Sequence, residues 1–293
     1  MRTKILAVLA TGAAACAATL PAAAINSYNA TPAPERTEVG AFMALWDNTD
    51  DGVPDRFDWV CSGTMVDRDT YLTAAHCTDD WPAGTRFYVS LEQDVQSLLD
   101  QAAANGLTPA QTAAAFVQAG HAVEGDPHQD PAYPGNSADS HDIGVIDFAG
   151  RQTDPADVWS FTSATLPTAG QLGQLGSRAL DAASWVVAGY GTQEAQRGPG
   201  GQTHPGGGVR MKAPVDFDAL NKTWVRLAMT APQGNGGACY GDSGGPNFVT
   251  LGGKLVLAAT TITGDTPCYA TNVTYRLDTP SARTFLAPYV NLP

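Results

Sequence analysis

The chain has 293 residues, 43% of them hydrophobic and 15% charged, with 31 glycines and 20 prolines. That suits one large globular domain or two small ones, and so many turn-formers favour short strands over long helices. A formal charge of −13 with only 16 Lys and Arg argues against binding nucleic acid, whose phosphates need cations, and in favour of a soluble monomer.

In chain order, Arg2 and Lys4 precede an Ala-rich apolar stretch from Ile5 to Leu20, and Pro21-Ala22-Ala23-Ala24 supplies an A-x-A site. Residues 1–24 read as a signal peptide cleaved after Ala24, which makes the mature chain a secreted one. The stretch is too short and too rich in Ala for a membrane anchor, and no other apolar run could span a bilayer. Cys16 lacks the large aliphatic residue before it that a lipoprotein site would carry. Cleavage removes Cys16 and leaves Cys61, Cys77, Cys239 and Cys268. An even set in an exported chain reads as two disulfides, in any of three connectivities. Zinc is disfavoured because neither a C-x-x-C pair nor clustered His accompanies them.

Val39 to Trp46 predicts a first strand, and Trp59 to Val66 and Tyr71 to Ala75 the next two. Between them lies an acidic turn. Asp47, Thr49, Asp51, Gly52, Val53, Asp55 and Asp58 fit the successive positions of a calcium loop, except that Thr49 replaces an acid or amide and Asp58 a Glu. The competing reading is a solvated hairpin loop. Residues 90–120 break the β pattern, with Val95, Leu98, Leu99, Ala102 and Ala103 at helical spacing. Ser90 with Gln93 and Thr108 with Gln111 fit capping boxes, Pro109 sits in a first turn, and Gly106 separates two helices. This predicts a helical hairpin inserted into a β protein, either a surface decoration or a lid.

Residues 125–140 read as a Pro/Gly/Asp-rich loop, His141 to Phe148 and Trp185 to Tyr190 as strands, and 197–208 as a Gly/Pro-rich loop. Leu255 to Thr263 and Val273 to Leu277 are late strands, and Pro280 to Val290 predicts a closing C-terminal helix. With neither an internal repeat nor a clear linker, residues 25–293 form one unit. Asn29, Asn221 and Asn272 begin glycosylation sequons, which matter only in a eukaryotic host.

Gly241-Asp242-Ser243-Gly244-Gly245-Pro246 is the most informative segment. A serine hydroxyl needs a base to take its proton and donors to hold the resulting oxyanion, and flanking glycines let backbone amides turn toward one point. The segment suggests an exposed Ser243 backed by the Gly241 and Ser243 N–H groups. Thr73-Ala74-Ala75-His76-Cys77 ends a strand on a histidine, a candidate base, and Asp142 opens an apolar strand as a candidate acceptor for that histidine. The same glycines fit the G-x-S-x-G elbow of α/β-hydrolases, but that fold needs a histidine after the serine, and His76, His121, His128, His141 and His204 all precede Ser243.

T-A-A-H-C at 73–77, D-I-G-V at 142–145 and G-D-S-G-G-P at 241–246, in that order, resemble the chymotrypsin/trypsin family of serine endopeptidases. Cys-Ser-Gly-Thr at 61–64 and Gly-Tyr-Gly-Thr at 189–192 extend the likeness. The resemblance implies an all-β fold of two packed six-stranded antiparallel β-barrels, here with the helical insertion and C-terminal helix. It implies a His76–Asp142–Ser243 triad in the cleft between the barrels, an oxyanion hole of Gly241 and Ser243, and bridges Cys61–Cys77 and Cys239–Cys268. Protein or peptide substrates follow, with neither a cofactor nor a metal. The primary pocket would be built from Gly237, Ala238, Thr263 and Gly264; without an aspartate at Gly237 it would be uncharged and prefer apolar or aromatic side chains, with Asp265 at its rim and Asn272 near its far wall.

Two departures from the family pattern stand out. Ile262 aligns with a serine that supports the catalytic aspartate, unless Thr261 fills that role. No Ile-Val-Gly-Gly-like start exists; Ser27-Tyr28-Asn29-Ala30 aligns nearest, and signal cleavage itself could free Ile25 to pair with Asp242. These departures keep a second reading open, a catalytically impaired homologue used as a binding module, and an esterase on the same fold would share the acyl-transfer chemistry.

Overall fold

A computed structural model describes residues 25–293; the expected signal peptide lies outside the described residues. Six strands form the first half: β1 (Val39–Trp46), β2 (Arg56–Met65), β3 (Thr70–Thr73), β4 (Arg86–Ser90), β5 (Val123–Gln129) and β6 (Gly144–Asp147). They close an antiparallel barrel in the order β1-β2-β3-β6-β5-β4, with Ala41 opposite Ser90 completing the ring. β1 is buried on both faces, as its unbroken apolar sequence requires. Val39, Ala41, Met43 and Leu45 pack with Leu72 and Tyr88, while Phe42 and Ala44 pack with Tyr71 and Phe87.

The second half repeats this plan. Strands β7 (Trp185–Gly189), β8 (Met211–Leu220), β9 (Trp224–Ala228), β10 (Pro246–Leu251), β11 (Lys254–Gly264) and β12 (Thr271–Arg276) run in the order β7-β8-β9-β12-β11-β10, and Asn247 opposite Val187 closes the barrel. In β8 the alternation is clean. Met211, Ala213, Val215 and Phe217 point into the core with Trp185, Val187 and Leu227, and Pro214, Asp216 and Asp218 point out. Two closed six-stranded antiparallel barrels are the expected architecture.

Helices decorate this frame. The inserted hairpin is present as α1 (Val95–Ala104) and α2 (Pro109–Ala119). Both halves of the Thr108–Gln111 capping box form, and Gly106 adopts a positive φ of 71° after α1. The other expected cap does not form: α1 is capped by Asp94, which accepts from Ser97 N at 2.9 Å, because Ser90 is committed to β4 opposite Ala41. Phe116 of α2 packs edge-to-face on Phe57 of β2 at 5.4 Å, so the hairpin lies against the first barrel. Its start also reaches the second half, where Val95 N and Gln96 N donate to Gly208 O at 2.8 and 3.1 Å.

The sequence does not predict helix α3 (Gln171–Asp181), which is two short helical pieces kinked at Gly176, where φ is +70°; Leu172 of the first and Leu180 of the second bury in the second core. Residues 123–129, of which 125–129 are read as loop, form β5, where Gly125 is needed because a Cβ there would strike Ile146 and Phe148. The loop expected at 197–208 contains part of a small hairpin, Gln196–Gly198 with Gly201–Thr203. The C-terminal helix, α4 (Pro280–Leu286), is present and shorter than expected, with Thr279 capping Ala282 N.

Candidate active site

β3 ends at Thr73 and the chain turns through a short 3-10 segment, Ala75–Cys77. The Cys61–Cys77 disulfide fastens this turn to β2. Asp142, buried just before β6, holds the turn from the other side: its Oδ1 accepts from His76 N at 3.0 Å and its Oδ2 pairs with His76 Nδ1 at 2.9 Å. A carboxylate only accepts, so the ring hydrogen sits on Nδ1 and Nε2 is left as the acceptor. Among the described residues only His76 donates to Asp142. Thr261 does not fill the supporting role: its Oγ1 accepts from Asn247 and Asn272 in the second barrel, at 3.0 and 3.3 Å. Ile262 packs instead against the apolar cores.

Residues 241–246 lead into β10. Two glycines there are geometric necessities. Gly241 has φ of +91° and a Cβ on it would strike the Trp59 ring; Gly244 has φ of +76° and a Cβ would strike Thr73 Oγ1 and Ser62 O. Both barrels pin the loop: Ser62 N of β2 donates to Ser243 O at 2.9 Å, and Gly244 N donates to Thr261 O of β11 at 2.7 Å. Neither the Gly241 nor the Ser243 N–H has an acceptor among the described residues. Two residues that sequence reasoning passed over support this geometry. Ser62, fully buried, donates its hydroxyl to Gly241 O at 2.9 Å and accepts from Tyr190 N at 2.9 Å. Trp59, whose ring fills the space beside Gly241, is held by Gln96 of α1 through a 3.0 Å bond from Nε1.

His76, Gly241 and Ser243 share a cleft of about 570 Å³ with Ala238, Thr263 and Gly264. Gly237, expected in the pocket, is not in its lining; Met229 occupies the space where a side chain would project. The Cys239–Cys268 disulfide joins two lining segments. Asp265, expected at the rim, does line the cleft, and its carboxylate also accepts from the backbone of Tyr269, Ala270 and Thr271 in its own loop. Asn272 lines the cleft and donates to Asn247 Oδ1 at 2.9 Å, while its own Oδ1 has no partner among the described residues.

Asp242 is fully buried, its carboxylate accepting from Gly191 N and Cys239 N at 2.8 Å each, and burial pushes it up to about 7. The start of the described chain lies beside it. Ile25, also fully buried, donates its N–H to Gly191 O at 3.2 Å, and Asn26 N donates to Gly237 O at 2.9 Å. Ile25 and Asn26, rather than Ser27 to Ala30, therefore occupy this position. Glu194, buried, clasps Ser27 by its N–H and its hydroxyl, both at 2.7 Å.

The acidic turn spends its carboxylates on itself. Asp47 accepts from Thr49 N at 3.0 Å and Gly52 N at 2.6 Å, Asp51 from Val53 N and Asp55 from Asn48 N at 2.9 Å each, and Asp58 from Trp59 N. These are the bonds of a hairpin loop. Two His/Cys groups, Cys61–His76–Cys77 and His204–Cys239–Cys268, are close enough for a shared ion, yet all four sulfurs are in disulfides and none is a thiolate donor.

Two antiparallel barrels with a carboxylate-held histidine and a glycine-framed serine in one cleft define the serine-protease class. The family model described as Trypsin matches residues 35–283, and the chain belongs to that family. No curated protein matches it.

Proposed function

We propose that the protein is a secreted serine endopeptidase. Ser243 Oγ attacks the scissile carbonyl while His76 Nε2 takes its proton; the same proton passes to the leaving amine as the acyl-enzyme forms, and water then releases the acid by the reverse path. Asp142 holds the imidazole in the required tautomer and stabilises its charged form. The Gly241 and Ser243 N–H groups receive the oxyanion, worth about 3–4 kcal/mol for a donor of this kind. The observation that carries this reading is the double grip of Asp142 on His76, in the same cleft as Ser243 and its two unengaged amides.

Position 237 is a glycine and the one carboxylate among the described lining residues, Asp265, is held by three backbone N–H groups of its own loop, so the pocket of Ala238, Thr263 and Gly264 takes apolar or aromatic side chains. Cleavage after Ala24 frees the Ile25 amine at Gly191, the residue whose own N–H is bonded to Asp242, and gives that buried acid a cation. The chain acts as a monomer on protein or peptide substrates, without cofactor, nucleic acid or membrane.

One observation favours a second reading, a catalytically impaired homologue that binds rather than cuts: Ile262 leaves Asp142 without a third donor. Fluorophosphonate labelling separates the two. Wild type takes the label and Ser243→Ala does not; an unlabelled wild type, or label retained by Ser243→Ala, refutes the enzyme.

A further inference from the structure

Asn26 is fully buried although its side chain is polar, and both ends of its amide are satisfied by backbone. Oδ1 accepts from Gly237 N at 3.0 Å, and Nδ2 donates to Cys268 O at 3.2 Å. Gly237 heads the segment that runs through Ala238 and Cys239 to Gly241; Cys268 ends the segment that runs from Gly264. Both segments line the cleft, and the Cys239–Cys268 bridge joins them at one point. One covalent point fixes a separation and leaves rotation about it. The Asn26 amide supplies a second point, and two points fix the angle.

The residues beside Asn26 keep it there. Ile25 N is bonded to Gly191 O, and Ser27 is held through both its N–H and its hydroxyl by Glu194. The Asn26 backbone N–H adds a bond to Gly237 O, so Gly237 is held through both of its backbone polar groups. A carbon side chain of the same size would fill the site and leave a buried N–H and a buried carbonyl without partners, at a cost of about 1–3 kcal/mol each. Relief comes only if the two segments move.

We propose that Asn26 is a positioning residue for the primary pocket: its side-chain amide holds the Gly237–Gly241 and Gly264–Cys268 segments at the spacing that admits a large apolar substrate side chain. This rests on the reading of the cleft as a peptidase site. Asn26 touches neither the substrate nor Ser243; it acts through the backbone of the two segments.

The test uses two peptide anilides that differ only before the scissile bond, Phe in one and Ala in the other, with enzyme concentration set by titration with a small alkyl fluorophosphonate so that misfolded molecules are not counted. Asn26→Asp keeps the volume and the acceptor for Gly237 N, and removes the donor to Cys268 O. It should raise KM for the Phe anilide about tenfold, the equivalent of one such bond, while KM for the Ala anilide and the labelling rate change less than about twofold. Asn26→Ala should shift the same KM at least as far. An unchanged Phe preference in both variants, or a parallel loss on both anilides and in labelling, overturns the inference while leaving the enzyme reading intact. A wild type that takes no label, or that shows no Phe preference, overturns the reading on which it rests and the inference with it.

Discussion

Removing one hydroxyl at Ser62 tests how the candidate oxyanion site is held. Ser62 is fully buried and bonds in two directions, to Gly241 O at 2.9 Å and from Tyr190 N at 2.9 Å. The Gly241 carbonyl belongs to the peptide that lies between the Gly241 and Ser243 amides, so anchoring it fixes the relative orientation of both donors. Ser62→Ala leaves the backbone bond from Ser62 N to Ser243 O in place and deletes only the hydroxyl. Tyr190 N becomes a buried donor without a partner, which costs about 1–3 kcal/mol of stability. The Gly241–Asp242 peptide then keeps, among the described residues, only the bond from Asp242 N to Cys239 O at 3.1 Å, and its loosening costs part of one oxyanion donor, whose full loss is worth about 10²- to 10³-fold. The expected result is a kcat lower by about tenfold with KM within about twofold, because the interaction strengthens only in the transition state. Steady-state kinetics on a peptide anilide and urea unfolding of the same samples provide both numbers. A variant destabilised as expected but retaining full kcat would refute the reasoning: the hydroxyl would then be part of the core alone.

Two further outcomes are expected. Asp142→Asn should retain the fold and lower kcat by about four orders of magnitude, because an amide that donates to Nδ1 moves the ring proton to Nε2, the atom that must accept from Ser243; a loss of under about tenfold would remove Asp142 from the mechanism. The second concerns pH. While the chain continues before Ile25, Asp242 has no cation among the described residues and burial holds it up at about 7, so the folded state binds its proton more tightly than the unfolded state does. Its contribution is fully favourable below about pH 4 and is lost as pH rises toward 7, by on the order of 4 kcal/mol. A free Ile25 amine lowers that carboxyl and removes the loss. Urea midpoints measured at pH 4.5 and 7.5 should therefore diverge for a chain carrying extra residues before Ile25 and hold steady for one that starts there; parallel curves would disconnect Ile25 from Asp242.

What could be read from the chain was whatever local chemistry announces. His76, Asp142 and Ser243 sit in motifs whose order alone excluded the α/β-hydrolase elbow, and β1 falls where an unbroken apolar run predicted it. The Thr108 cap was legible because both of its partners lie within one turn. Elements whose burial depends on distant partners were not. β5 is half polar and carries Pro127, and becomes a strand only because β4 and β6 flank it. Ser62 sat within a recognised segment, yet its role needs Gly241, far along the chain, to be brought beside it. Asn26 gave the weakest signal of all, an ordinary polar residue just past a cleavage site whose two partners come from the far end of the sequence.

The loop carrying Ser243 is tied to both barrels at adjacent residues, to Ser62 of the first through the Ser243 carbonyl and to Thr261 of the second through the Gly244 amide. His76 and Asp142 belong to the first half, while Ser243 comes from the second. Each half by itself carries only part of the candidate site: one has the candidate base without the candidate nucleophile, the other the reverse. On the proposed reading, reactivity therefore requires the two halves to be docked on one another, and is a property of the pair rather than of either barrel.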